Sequence, residues 1–437
     1  MQTYPNILWI FSDQHRAQAM SCAGDSNILT VNMDRLANSG VRFNNAFSNT
    51  PICSPSRGCV YTGKYATRHG AFCLHVPPKP NQRLLQEELK VLGYYTSHYG
   101  KWHLSGGAAP SHFVSSYFRP GWDEWKAWEN SNMPWETEYS EGDFPLPIRT
   151  LIGYQTDALT DMTIEFIRKQ SNTECPWFHV MSVEPPHEPH TPPNKYIEQF
   201  QNIEFEIRKN VPKKYFDNPK NKEKLIGYYG QIKNLDDNIG RILDALRKTR
   251  QIDNTIIFYF SDHGEMLGSH NLSGKSTFYV EASKIPLIIS YPKKVPQGIV
   301  TNENISTIDF FPTLLGMIGA DIPKDIEGID CSEYIFGNKE KLNQEVLIQF
   351  ERRFYGVPEP DRIFRAIVEG DYMYVYFLNE TKKLYNIHED ELQLNNLANS
   401  KKELVNRLHQ RLMLKLESIG DHFFQRKIEE ERDEAKD

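Results

Sequence analysis

The sequence predicts an α/β fold: a large, mostly parallel sheet sandwiched by helices, followed by a smaller C-terminal antiparallel sheet with one packed helix. Three observations predict it. Short apolar runs of strand length alternate with segments of helical period over most of the chain, the pattern of a sheet covered on both faces. Residues able to do chemistry (Asp13, Lys101, His187, Asp262) stand just after those runs, where open α/β sheets carry ligands at the carboxyl ends of strands. After about residue 345 the texture changes to closely spaced β-branched and aromatic runs, so we divide the chain into residues 1–345 and 346–437. Its 437 residues are more than one compact core usually holds.

The elements follow in order. Asn6 to Phe11 is an apolar run ending at Ser12-Asp13, as a buried parallel strand would be. Val31 to Ala37 reads as a helix that stops at Gly40, and Phe43 to Phe47 as the strand that delivers the chain to Cys53. Leu84 to Leu92 is helical, and Tyr94 to Tyr99 is a strand leading into Lys101-Trp102-His103. Residues Gly106 to Pro147 are rich in Trp, Pro, Gly and Ser, and are expected to be a long insertion outside the core. Asp157 to Arg168 is helical, Trp177 to Val183 a strand before a Pro-rich turn, and Leu225 to Arg247 an amphipathic helix. Thr255 to Phe260 and Ile285 to Tyr291 are strands. Beyond residue 345, Arg365 to Tyr376 is a hairpin turning at Gly370-Asp371, Lys383 to Ile387 a strand and Leu404 to Leu416 a helix; the tail from Lys427 is charged and expected to fray.

Composition narrows the function. A hydrophobic content of 39% and a charged content of 24% are those of an ordinary globular protein. A net charge of −7 argues against a nucleic-acid partner, yet a local cation cluster can still bind small anions. There is no apolar stretch long enough to span a membrane, and no basic and apolar leader precedes Pro5. A cytoplasmic protein is therefore expected, or a periplasmic or secreted one had a leader been removed. Cys22, Cys53, Cys59, Cys73, Cys175 and Cys331 form no CxxC pair and no even framework, which favours reduced thiols.

The most informative segment is Cys53-Ser54-Pro55-Ser56-Arg57, with Thr62-Gly63 shortly after. Read alone, it could be a Ser-Pro turn beside a buried cysteine. It resembles the Cys-x-Pro-Ser-Arg signature of the type I sulfatases, of the alkaline phosphatase superfamily. Further elements resemble that family in the same chain order: Asp13-Gln14, Lys101-Trp102-His103, Pro186-His187-Glu188-Pro189, Asp262-His263-Gly264 and Lys275. The resemblance runs from Pro5-Asn6-Ile7 to the Leu384-Tyr385-Asn386 region and implies an alkaline phosphatase-like fold.

What the resemblance implies is specific. Cys53 would be oxidised to formylglycine by a maturation enzyme that reads Cys53, Pro55 and Arg57 in the unfolded chain. Asp13, Gln14, Cys53, Asp262 and His263 would hold one divalent metal. Carboxylate and amide oxygens suit Ca²⁺, the expected ion, or Mg²⁺; the imidazole also admits Mn²⁺ or Zn²⁺. Many relatives carry Asp-Asp where this chain has Asp13-Gln14, which lowers the anionic charge by one. Arg57, Lys101 and Lys275 would surround the ester oxygens, His187 (or His190) or Lys275 would assist the leaving alcohol, and His103 would be the base that releases sulfate. His15, His69, His75 and His98 are left without a role. Lys275 lies in Gly-Lys-Ser-Thr, but position 269, where a phosphate loop needs glycine, is Ser.

The reading that results is a sulfuric ester hydrolase acting on a sulfated mono- or oligosaccharide, with a phosphonate monoester or phosphodiester hydrolase as the alternative. A non-catalytic binding module would be expected to lack Cys53, Arg57 or the Asp residues, and all are present. The carbohydrate expectation rests on His112, Arg119, Trp122, Trp125, Trp128 and Trp135 lining the pocket mouth, with Arg352 and Arg353 adding from the second unit; packing of these tryptophans onto the domain is the equal alternative.

Overall fold

The computed structural model describes residues 4–142, 148–351, 353–354, 357–358 and 362–423. Ten strands form the main sheet: β1 (Asn6–Asp13), β2 (Gly40–Phe47), β3 (Tyr95–Lys101), β4 (Glu124–Trp128), β5 (Glu138–Glu141), β6 (Ile148–Thr150), β7 (Trp177–Pro186), β8 (Thr255–Ser261), β9 (Leu287–Ser290) and β10 (Ile299–Ser306). Their order across the sheet is β10-β2-β9-β8-β1-β7-β3-β4-β5-β6. The centre is parallel, whereas β9, β5 and β6 run antiparallel to their neighbours.

The central strand shows why the sheet is covered twice. In β1, Ile7, Trp9 and Phe11 point into one apolar core while Leu8 and Ile10 point into the other, so a continuous apolar run serves both faces. The helix Pro219–Lys248 covers the second face beside the helix Gln155–Gln170. It starts where the Asn218 side chain accepts from the Lys220 N–H and Pro219 occupies the first turn. It buries Leu225, Tyr228, Ile232, Leu235, Ile239, Ile242 and Leu246 on one stripe; truncating one such residue, Ile239→Ala, would cost about 2–5 kcal/mol.

The expectation of a coreless insertion over Gly106 to Pro147 is wrong. Its segment β4 pairs in parallel with β3, and Trp122, Trp125 and Trp128 are buried. Trp122 and Trp125 close over His98, a contact that spacing within the insertion could not show. Residues 143–147 of that segment lie outside the described residues, as do Arg352, the Arg353 side chain and the tail beyond residue 423.

The second sheet contains β11 (Val346–Phe350), β14 (Phe364–Glu369), β15 (Tyr372–Phe377) and β16 (Lys382–Asn386), in that order and antiparallel; the short pair β12 (Arg353–Phe354) and β13 (Val357–Pro358) stands apart. Alternation again decides the faces. Val346, Ile348, Phe364, Ala366 and Val375 pack toward Phe47, Phe278 and Val280 of the main unit. Leu347, Ile367, Tyr374 and Leu384 pack under the helix Lys402–Ser418, together with Cys59 and Tyr65.

Candidate active site at the carboxyl ends of the central strands

Strands β1, β3, β7 and β8 end side by side, and their ends bring together residues up to 250 positions apart in sequence. Asp13 and Lys101 are the last residues of β1 and β3; Asp262 follows β8 directly, and His187 follows β7. Between them enters the helix Cys53–Thr62, which starts at Cys53 after the extended Ile52 and stops at Gly63, whose φ of 63° is left-handed. All ten residues of that helix are buried, so its N-terminus is pressed into the site rather than presented to water.

Close approach of backbones sets some identities. A Cβ on Gly100 would lie 1.9 Å from the Ser182 carbonyl oxygen, and one on Gly264 2.0 Å from that of Glu281. Only glycine therefore lets Lys101 and His263 reach their places. Gln14 and His103 hold positive φ values of 67° and 60°, a conformation that costs a side-chain-bearing residue about 1 kcal/mol or more and clusters at functional sites.

The geometry is dense. The ligand atoms of Asp13, Cys53, Asp262 and His263 all lie within 4.8 Å of one another, and all four residues are buried. Cys53 Sγ stands 3.2 Å from His263 Nε2 and 3.7 Å from Asp13 Oδ1. Arg57 is fully buried and donates from Nε to Asp262 (3.1 Å), from Nη2 to Asp13 (3.4 Å), and from Nη1 to Ser182 Oγ (2.9 Å) and the Lys101 carbonyl (3.0 Å). Lys101 Nζ lies 2.8 Å from Asp13 Oδ2 and 4.0 Å from Glu184. Lys275 Nζ donates to the Gln14 amide oxygen at 2.6 Å.

These contacts set the charge states. Burial opposes ionisation of Asp13, but the cations Lys101, Lys275 and Arg57 outweigh it and hold its carboxyl well below the usual range. Burial and Asp13 also push the Cys53 thiol up, yet Lys275, Lys101 and His263 bring it below an ordinary cysteine. Burial works against protonated Lys101 and Lys275, and their anionic neighbours, Asp13 and Cys53 foremost, more than offset it, so both stay ammonium. His103 and His187 are driven well below the usual histidine range, by burial first and then by Lys101 and Lys275 respectively. Both are neutral imidazoles at neutral pH.

The donor set fits a divalent cation. His263 Nδ1 donates to the Gly264 carbonyl at 3.0 Å, which leaves the Nε2 lone pair facing Asp13, Asp262 and Cys53. Burial disfavours protonation of that ring, yet Asp262 raises its proton affinity overall, as expected where a cation is favoured. Gln14 sits beside this set, with its backbone N–H on Asp262 Oδ1 (3.1 Å) and its amide oxygen turned to Lys275.

The ten residues named from the sequence for catalysis or metal binding, Asp13, Gln14, Cys53, Arg57, Lys101, His103, His187, Asp262, His263 and Lys275, lie in this cluster or at its rim. His103 is buried and neither ring nitrogen has a partner among the described residues. His187 donates from Nδ1 to the Glu188 carbonyl at 2.7 Å, leaving Nε2 as its reactive nitrogen, whereas His190 Nδ1 is engaged by Gln231 at 3.0 Å. The tryptophan expectation fails for most of its members. Trp122, Trp125 and Trp128 are core, Arg119 stacks on Trp125, and only Trp135 of these tryptophans is exposed. The structure adds residues that the sequence did not single out: Ser182 on Arg57, Glu184 near Lys101, and Glu265 on Gln14. Glu184 followed a predicted strand and so had a positional signal; Ser182, inside one, had none.

A mostly parallel sheet with a buried carboxylate–imidazole–sulfur cluster at its strand ends, ringed by Arg57 and two lysines, defines a hydrolase of anionic esters with the alkaline phosphatase-like architecture. The sulfatase family model matches residues 5–320, and a model described as the C-terminal part of N-sulphoglucosamine sulphohydrolase matches residues 268–418. An ulvan-active sulfatase of Formosa agariphila is 33% identical over 427 residues, covering 96% of this chain and 83% of that one. An N-acetylglucosamine-6-O-sulfatase of Bacteroides thetaiotaomicron is 26% identical over 495 residues, covering 93% and 86%. Among solved structures, a yidJ sulfatase of Bacteroides fragilis superposes with a TM-score of 0.89 at 27% identity, covering 97% of this chain and 98% of that one. The chain belongs to the sulfatase family and is a sulfuric ester hydrolase. Membership implies a metal and a formylglycine, and Asp13, Cys53, Asp262 and His263 form a cluster able to hold a metal. Among the described residues no helix is long and apolar enough to cross a membrane.

Proposed function

We propose that this chain removes O-sulfate from a sulfated carbohydrate, with position 53 matured to formylglycine and one divalent metal, Ca²⁺ expected, held by Asp13, Gln14, Asp262, His263 and position 53. The observation that carries the reading is the convergence of Cys53 with two carboxylates, an imidazole and three cations at one point. The carbohydrate class follows the ulvan- and N-acetylglucosamine-directed relatives. We also infer that residues 1–345 form the catalytic unit and 346–437 a C-terminal unit, and that a formylglycine-generating enzyme acts on the chain before it folds, because Cys53 and Arg57 are buried afterwards.

The Sγ of Cys53 stands in for the oxygens of the matured side chain. Hydrated formylglycine supplies one hydroxyl to attack sulfur and a second whose deprotonation expels sulfate, and a bound metal supplies positive charge. The residues of the chain supply the rest. Arg57 and Lys101, held as cations by Asp13 and Asp262, neutralise the oxygens of the ester. Lys275, released from Gln14, binds a further oxygen. His103, neutral and without a hydrogen-bond partner among the described residues, takes the proton that frees the sulfate. His187 is neutral while the site is empty; an arriving sulfate brings negative charge beside Nε2 and raises its proton affinity, so that it can protonate the departing alkoxide.

The test is the mass of the peptide containing position 53, from protein made together with a maturation enzyme, followed by turnover of sulfated sugars against phosphodiesters. An aldehyde mass with faster sulfate release supports the reading. An unmodified thiol in active protein sinks the formylglycine assignment, and faster phosphodiester cleavage would favour the alternative substrate class.

A further inference from the structure

A pair of cations, Arg42 and Lys284, lies away from the reaction centre. A cavity of about 460 Å³ is lined by Arg42 and Asn45 of β2, by Lys284, and by Arg208. Arg42 and Asn45 are each 9% exposed, and Lys284 is partly buried. The rim carries the exposed residues Asp371, His388 and Glu391.

The charges in this cavity do not close. Arg208 is matched by Glu281 at 3.3 Å. Arg42 and Lys284 have no carboxylate partner among the described residues. Arg42 Nη1 donates to the Asn44 amide oxygen at 2.5 Å, and Lys284 Nζ to that of Asn45 at 2.6 Å. Both acceptors are neutral, and most of the five guanidinium and three ammonium donors have no hydrogen-bond acceptor among the described residues. Burial lowers the Lys284 pKa to about 8 despite the distant pull of Glu391 and Asp371. Two partly desolvated cations sharing one polar cavity are costly unless an anion joins them.

We propose that this cavity is a second oxyanion site, in which Arg42 and Lys284 bind a sulfate or carboxylate group apart from the centre that cleaves the ester. A guanidinium and an ammonium together supply charge and enough donors for such a group. The site is structurally distinct from the reaction centre. None of Asp13, Cys53, Arg57, Lys101, Lys275, Asp262 and His263 lines the cavity. The ligand is an oxyanion, carried on a glycan chain or free as an ion.

Acetylation of the wild-type protein by an N-hydroxysuccinimide ester, read peptide by peptide by mass spectrometry, tests it. Sodium sulfate at saturation should slow labelling of Lys284 by about tenfold relative to sodium chloride of equal ionic strength, while the exposed Lys220 is unaffected. A sulfated tetrasaccharide protecting at far lower concentration assigns the group to a glycan; protection by inorganic sulfate alone assigns it to a free ion. Arg42→Gln should remove the protection while leaving turnover of 4-nitrophenyl sulfate unchanged, which separates this cavity from sulfate bound at the reaction centre. Unchanged Lys284 labelling with both anions overturns the proposal, as does protection that survives in Arg42→Gln.

Discussion

Two arginines of this chain are wholly buried against a pair of carboxylates, and they do opposite things. Arg57 meets Asp13 and Asp262; Arg365 meets Glu351 and Asp421. Around Arg365 the set is closed. Its Nε and Nη2 reach Asp421 at 2.7 and 2.9 Å, Nη2 reaches Glu351 at 2.8 Å, and Nη1 reaches the Phe364 carbonyl at 3.1 Å. Asp421 also accepts from Gln349 and from the Phe423 N–H, so the group ties the end of the last helix to β11 and β14. Around Arg57 the same three groups are crowded by Lys101, Lys275, a thiol and an imidazole. Charge is left over there, and it is directed at one point. A saturated buried ion cluster holds structure; an over-filled one is poised to bind and react.

Four sets of variants distinguish the two clusters. The largest effect belongs to position 53. Cys53→Ala should lower turnover of 4-nitrophenyl sulfate by at least about 10⁴-fold while changing unfolding free energy by about 1 kcal/mol. Turnover near wild type in that variant would end the role of position 53. The two arginines come next. Arg57→Met should cost about 10²–10³ in kcat and remain folded with metal bound. Arg365→Met should leave kcat per folded molecule unchanged and lose about 3–5 kcal/mol in urea unfolding, because two buried carboxylates are stranded. If the two variants behaved alike, the contrast between the clusters would fall.

His187→Gln sharpens the functional side. The loss should be about 10²-fold on an alkyl sulfate and much smaller on 4-nitrophenyl sulfate, whose leaving group needs no acid. Equal losses on both would reassign proton donation to Lys275. The smallest effect is acid sensitivity of the closed cluster. Burial opposes ionisation of Asp421, but Arg365 outweighs it and lowers its pKa in the fold. Its stabilisation is therefore complete above the unfolded value of about 3.9 and is lost as pH falls through the lower folded value. The stability gap between wild type and Asp421→Asn should shrink below about pH 4, and a gap constant down to about pH 3 would contradict this account.

Local pattern carried a large part of this molecule. The Asn6–Phe11 run, the helical period of residues 225–247 and the turn at Gly370-Asp371 each register in their own segment and appear as β1, a helix and the β14–β15 hairpin. The motif residues were legible for the same reason, because Cys53 to Arg57 is one turn of helix and Asp262-His263 one strand end. The insertion was misread because Trp122 and Trp125 acquire their place only when β4 lies beside β3, over His98. Ser182, Glu184 and Glu265 were missed because nothing local marks a residue whose work is to hold another. Short segments of sequence therefore sufficed for the fold class and the family, and they carried the motif residues that the fold brings together. Only the tertiary structure decided which histidines are neutral, which tryptophans are core, and that Gln14 faces Lys275. Those depend on burial and on charges brought together from up to 261 residues apart.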